Sequence, residues 1–117
     1  MNNVIVVNGE FNLEMLVDDI IFKAKQFGVA RVYWLPEFVT DKDIVVLLDI
    51  LRDLSADGVY VDFVITDSSS NKTLTLPYMA YKEGLSNVLV LKTKEIQNVV
   101  DNNIFTNDFI TPIKIGG

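Results

Sequence analysis

Cysteine and histidine, the side chains most used as nucleophile, base or transition-metal ligand near neutral pH, do not occur in this 117-residue chain. Any chemistry must come from carboxylates, hydroxyls and amines. Two stretches gather these groups: Asn8-Gly9-Glu10-Phe11-Asn12, which follows an apolar run, and Thr66-Asp67-Ser68-Ser69-Ser70-Asn71-Lys72-Thr73, the most polar segment of the chain. A ligand pocket built from Asn8, Gly9, Glu10, Asp67, Ser68, Ser69 and Lys72 would offer hydroxyl donors, one ammonium and the N–H groups of helix starts. Such a set suits phosphate, sulfate or a carboxylate if Glu10 and Asp67 turn away, and a cation or polar neutral molecule if they turn inward. The plainer reading is that Asn, Asp, Ser and Gly stand there because they suit turns and caps. A serine nucleophile between Ser68 and Ser70 would need Lys72 or a carboxylate as its base, a minority arrangement. No catalytic residue is assigned.

Gly9 is the lone glycine of the first loop, so neither G-x-G-x-x-G nor G-x-x-x-x-G-K is present and no nucleotide cofactor is expected. No other cofactor is expected, and no metal site. Asp62 interrupts the apolar run Val61-Asp62-Phe63; it reads as a buried carboxylate with a purpose, or as the wet face of an edge strand. Asp18-Asp19, Asp41 and Asp43 read as early-turn residues that complement helix dipoles.

The net charge is −6, and the ten basic residues are scattered, with Lys92 and Lys94 the nearest approach to a cluster. Nucleic-acid binding and attachment to anionic membranes are therefore not expected. No stretch nears the roughly 18 apolar residues of a membrane span, and the start lacks the basic region of a signal peptide. The absence of cysteine fits a reducing compartment, so a cytoplasmic location is expected. Half of the residues are hydrophobic. That surplus needs either a sheet covered on both faces or a subunit interface.

Those loops are positioned by alternating elements. Val4-Ile5-Val6-Val7 reads as a parallel-type strand buried on both faces. Asn12 caps a helix with apolar Leu13, Leu16, Val17, Ile20, Ile21, Ala24 and Phe27, stopped by Gly28. A strand at Arg31–Leu35 ends at Pro36, and Thr40-Asp41-Lys42-Asp43 resembles a capping box with Asp in place of Glu. The helix it opens runs to about Leu54, and its apolar residues span roughly 200° of arc, about twice what an ordinary surface helix needs. Strands follow at Val59–Ile65, Val88–Leu91 and Phe109–Ile115, with short helices at Pro77–Gly84 and Lys94–Val100. Residues 101–108 read as a loop, and Pro112 marks the last strand as an edge. The expectation is one three-layer, doubly wound α/β domain over residues 1–117, with five mostly parallel strands and helices on both faces. In such a sheet, ligands bind beyond the carboxyl ends of the strands.

The layout resembles the DsrE/DsrF/TusD-like family of sulfur-relay proteins. The likeness is carried by Gly58-Val59-Tyr60-Val61-Asp62-Phe63-Val64-Ile65, the polar loop after it, Gly84-Leu85-Ser86-Asn87-Val88-Leu89-Val90-Leu91 and Glu95-Ile96-Gln97-Asn98-Val99-Val100. Active members of that family hold a persulfide on a cysteine in the loop after the third strand, where this chain has Thr66-Asp67-Ser68-Ser69-Ser70. The resemblance therefore implies the fold and the habit of oligomerising, but not sulfur transfer. A second likeness is to Toprim domains, through Val4-Ile5-Val6-Val7-Asn8-Gly9 and Val64-Ile65-Thr66-Asp67-Ser68-Ser69, with Asn8 and Ser69 where magnesium-binding carboxylates would stand. The leading expectation is a non-catalytic oligomeric subunit or binding module, with sulfur trafficking as the setting the resemblance suggests. A small ligand-binding protein or enzyme using the Thr66–Lys72 loop, and a degenerate Toprim-like nucleic-acid protein, are the alternatives. Partners expected are a second copy or a related subunit, with a small polar or anionic ligand as a further candidate. The over-wide helix, through Val46 and Ile50, or the edge near Trp34, would form the contact.

Overall fold

A computed structural model describes residues 3–66 and 71–92, together with 94, 96 and 98. Among them four strands alternate with three helices: β1 (Val4–Gly9), α1 (Leu13–Phe27), β2 (Val29–Pro36), α2 (Asp41–Ala56), β3 (Tyr60–Thr66), α3 (Asn71–Lys82) and β4 (Ser86–Leu91). Every described strand pairing is parallel, and the strands lie in the order β1-β2-β3-β4. The α/β class is as the alternating pattern implies. The fifth strand expected at Phe109–Ile115, and the loop before it, lie outside the described residues.

The order of the strands decides where the helices go. A right-handed crossover between neighbouring parallel strands puts its helix on one particular face, and three such steps in one direction repeat that face. Accordingly α1, α2 and α3 lie side by side on a single face. Their residues Leu16, Ile20, Leu47, Leu51, Leu76 and Ala80 pack on Ile5, Val32, Phe63 and Val88, which form one in-register row across the sheet. Placement of these three helices on both faces does not occur, because the strand order never reverses among the described strands. On the opposite face Tyr33, Val64, Leu89 and Leu91 cluster with Ile96. Lys94, Ile96 and Asn98 are helical, and the Ile96 N–H donates to the Lys92 carbonyl at 3.1 Å.

β1 differs from the expectation of a strand buried on both sides. Ile5 and Val7 are buried under the helices, but Val6 on the other face is 38% exposed. Among the described strands β1 pairs with β2 alone.

The helix boundaries follow from side-chain chemistry. The Asn12 side chain accepts the Met15 N–H at 3.0 Å, and Gly28 ends α1 in the left-handed region at φ 81°, where its N–H reaches the Ala24 carbonyl at 2.8 Å. At α2 the reciprocal capping box forms: Asp43 N–H donates to Thr40 Oγ1 at 3.1 Å, and Thr40 N–H to Asp43 Oδ2 at 3.0 Å. Asp replaces Glu here because its shorter side chain still spans one helical turn back to the cap.

The wide apolar arc of α2 has a local explanation. It is the middle helix of three, with the sheet beneath it and α1 and α3 on its flanks. Ile44, Leu47, Leu48, Leu51 and Leu54 are buried, and Ile50 packs partly buried against the same core. The surplus that suggested a subunit contact is thus largely used inside the protomer. The edge proposed near Trp34 is likewise corrected, because β2 is an interior strand and Trp34 is completely buried.

The third helix starts well before the expected position: it runs from Asn71, and Pro77 sits inside it rather than in the first turn. Proline lacks the N–H that would bond the carbonyl four residues back, here that of Thr73. The indole Nε1–H of Trp34 donates to that same carbonyl. The Trp34 ring also meets Phe63 edge-on at 5.7 Å and Phe11 at 5.9 Å. One buried side chain from β2 therefore repairs the helix that Pro77 would otherwise weaken. None of the described helices is long and apolar enough to cross a membrane.

Replacing Thr40 by Ala removes one half of the reciprocal cap and should lower stability by about 1 kcal/mol. Urea unfolding should show a lower midpoint with an unchanged slope, and an unmoved midpoint would show that α2 does not rely on this cap.

Candidate functional site

At the carboxyl end of β1 the chain leaves the sheet through Asn8 and Gly9. Gly9 adopts φ 78°, and a Cβ there would meet Glu37 Oε1 at an ordinary 3.6 Å, so the backbone angle, not space, calls for glycine. Its carbonyl accepts the Glu37 N–H at 3.1 Å, which ties this turn to the one after β2. Phe11 folds back onto Trp34, and this leaves Asn8 and Glu10 exposed. Asn8, Glu10, Asn12 and Asp19, with Val6 and Met15, border an open concavity of about 300 Å³ between β1 and α1.

Of the residues expected to form a ligand pocket, Asn8, Gly9 and Glu10 are adjacent in this turn. Asp67, Ser68 and Ser69 lie outside the described residues. Lys72 stands in the first turn of α3, so the polar segment read as one long loop has its last three residues, Asn71 to Thr73, in a helix, and only residues 67–70 separate β3 from α3. No reversal of strand order occurs among the described strands, so the crevice that usually defines a ligand site in open α/β sheets is not formed by them. Among the described residues no group of three or more Asp or Glu side chains is placed to hold a metal ion.

The polar feature that sequence reading only half identified lies on the other face of the sheet. Arg31, Asp62 and Asn87 are in register on β2, β3 and β4. Arg31 Nη2 lies 3.7 Å from Asp62 Oδ2, with both side chains about 85% buried by their 16% and 15% exposure. Asn87 Nδ2 donates to Asp62 Oδ1 at 3.1 Å. Asp62 is thus no wet-edge residue: β3 is central, and the carboxylate is held by a cation and an amide. Parallel register could have suggested it, since Arg31 and Asn87 each stand where their strand enters the sheet. At the neighbouring strand β1, Lys23 Nζ donates to the Val4 carbonyl at 2.9 Å and lies 3.4 Å from Asp19.

One row further along the same face, Tyr33 is flanked by Val6 and Val64 and is 1% exposed. Burial raises its phenol pKa above the ordinary value, and the nearby Arg31 charge opposes part of that rise. The Arg31–Asp62–Asn87 row is an anchoring network: it contains a paired cation and anion, and no nucleophile beside a base. Compared with protein families, with curated proteins and with solved structures, the chain matches none.

The chain has four tyrosines. In the folded protein one of them should titrate later than an ordinary phenol, and Tyr33→Phe should remove that late step from the absorbance titration near 295 nm. Because the folded-state pKa is the higher one, the folded form holds this proton more tightly. Stability should fall as pH climbs from about 10 toward the folded pKa, and less so in Tyr33→Phe. Four phenols titrating together in the native state would contradict this environment.

Proposed function

We propose that the protein is a non-catalytic α/β subunit or binding module that works through contact with another protein chain. The carrying observation is the outer side of α1. Met15 and Phe22 are 72% and 64% exposed there. Large apolar side chains scattered singly are ordinary, but two on one stripe of one helix, beside two concavities, suit a docking surface. The kinship proposed is with DsrE/DsrF/TusD-like domains that lack a working cysteine, and a role in sulfur trafficking rests on that resemblance. The finer fold belongs to the same proposal: a helix about Ile96 covers the second face, and Phe109–Ile115 completes a five-stranded, three-layer sheet.

A second reading has its own support. The concavity bordered by Asn8, Glu10, Asn12 and Asp19 is at the lower end of the size of small-molecule sites. Its carboxylates would suit a cationic or polar neutral ligand better than an anion.

Light scattering across micromolar to submillimolar concentrations is expected to give a mass above the 13.2 kDa of one chain. A single-chain mass throughout, with amide shifts at Asn8 and Glu10 on titrating a small amine, would overturn the subunit reading in favour of the ligand one.

A further inference from the structure

The exposed stripe of α1 carries charge as well as apolar surface. Glu14, Asp18 and Asp19 occupy its first half, and Lys23 and Lys25 its second. Lys23 is engaged inward with Val4 and Asp19, but Asp18 and Lys25 are exposed and border the same shallow depression as Ile21, Phe22 and Gln26. Asp18 stands three residues before Ile21, and Lys25 three residues after Phe22. This spacing is self-complementary.

We propose that the outer face of α1 is a homodimer interface, in which two copies pair antiparallel about a two-fold axis passing between Ile21 and Phe22. In that arrangement Asp18 of each copy lies opposite Lys25 of the other, and the apolar pair Ile21–Phe22 packs on its own image. A two-fold contact must be self-complementary in this way, because each patch meets itself. The same gradient of acid to base that complements each helix's own dipole is used a second time across the interface, and the two dipoles run in opposite directions. The neighbouring groove between α1 and α2 shares Ile21 and Lys25 and adds Ile50, Leu54 and the carboxylates of Asp53 and Asp57, so the surface beyond the helix crest is mixed and the apolar contact centres on Ile21 and Phe22. α1 is only about 22 Å long. The contact is accordingly small beside the roughly 800 Å² per partner of a standard interface, and a reversible dimer with Kd on the order of micromolar or weaker is expected.

The inference rests on the subunit reading above but is more specific, and sedimentation equilibrium of the full chain and its variants separates the two. The wild type should fit a monomer–dimer equilibrium. Phe22→Asp should raise Kd about tenfold or more, since each dimer loses the central side chain twice. Asp18→Lys and Lys25→Asp should each raise Kd several-fold by placing like charges opposite one another at both symmetric positions, while the double exchange D18K/K25D should return Kd to within about twofold of wild type. Circular dichroism should show all four variants folded, because these side chains are exposed. A wild type that assembles but ignores Phe22→Asp and the charge exchanges would overturn this pairing and leave the subunit reading standing. A wild type that stays monomeric throughout would also overturn this pairing, and only together with the amine-dependent amide shifts at Asn8 and Glu10 would it overturn the subunit reading as well.

Discussion

The bond from the Trp34 indole to the Thr73 carbonyl is the constraint around which the helix layer is arranged. Pro77 removes the helical N–H that would bond that carbonyl, and a typical hydrogen bond is worth about 0.5–1.5 kcal/mol net. The donor that replaces it comes from the middle of the sheet. To deliver it, β2 must be interior, Trp34 must point to the helix side, and α3 must cross at the carboxyl end of that strand. The ring then fills the space between Phe11 and Phe63, so the same residue joins the turn after β1, the strand β3 and the start of α3. A single side chain thus ties β2 to three other parts of the chain.

The strand order has the larger consequence for function. A sheet that runs β1-β2-β3-β4 in one direction gathers α1, α2 and α3 on one face, so the central helix is covered on both flanks and keeps only its crest, with Val45, Asp49 and Arg52, toward solvent. Among the described strands it also forms no crevice at a reversal point. Both effects move attention from loops at the strand ends to the flank of the molecule, where α1 and the edge of β1 carry exposed Met15, Phe22 and Val6. On the opposite face Arg31, Asp62 and Asn87 pin β2, β3 and β4 at one level by charge and hydrogen bonding, with Tyr33 buried directly above them.

Much of this was legible in the residues. Asn12, Gly28, Thr40 and Asp43 announce the ends of α1 and α2, and the structure shows each in the expected bond. Alternation of strands and helices announces the class. Other features were not local. Pro77 suggests a helix start because proline suits a first turn, and the indole donor that reaches the carbonyl four residues before it stands 39 positions from that carbonyl in sequence. The apolar arc of α2 gives the amount of covered surface but not its partner, which strand order supplies. Asp62 shows that a carboxylate enters a strand, yet its pairing depends on Arg31 and Asn87 from two other strands in register. Within the candidate ligand site, Asn8, Gly9 and Glu10 fall together as the short segment requires, whereas the polar residues following β3 divide between residues 67–70 and the first turn of α3.

The decisive test of the Trp34–Thr73–Pro77 arrangement is a double-mutant cycle on unfolding free energy. Trp34→Phe keeps an aromatic ring but removes the donor, and Pro77→Ala restores to α3 the N–H that can bond Thr73. The packing lost at each site cancels in the cycle, leaving the coupling between them. The cost of Trp34→Phe should be smaller by about 1 kcal/mol or more in the Pro77→Ala background than in the native one, since the carbonyl then has a second donor. Costs that are additive within about 0.5 kcal/mol would show that the indole and the proline do not share that carbonyl.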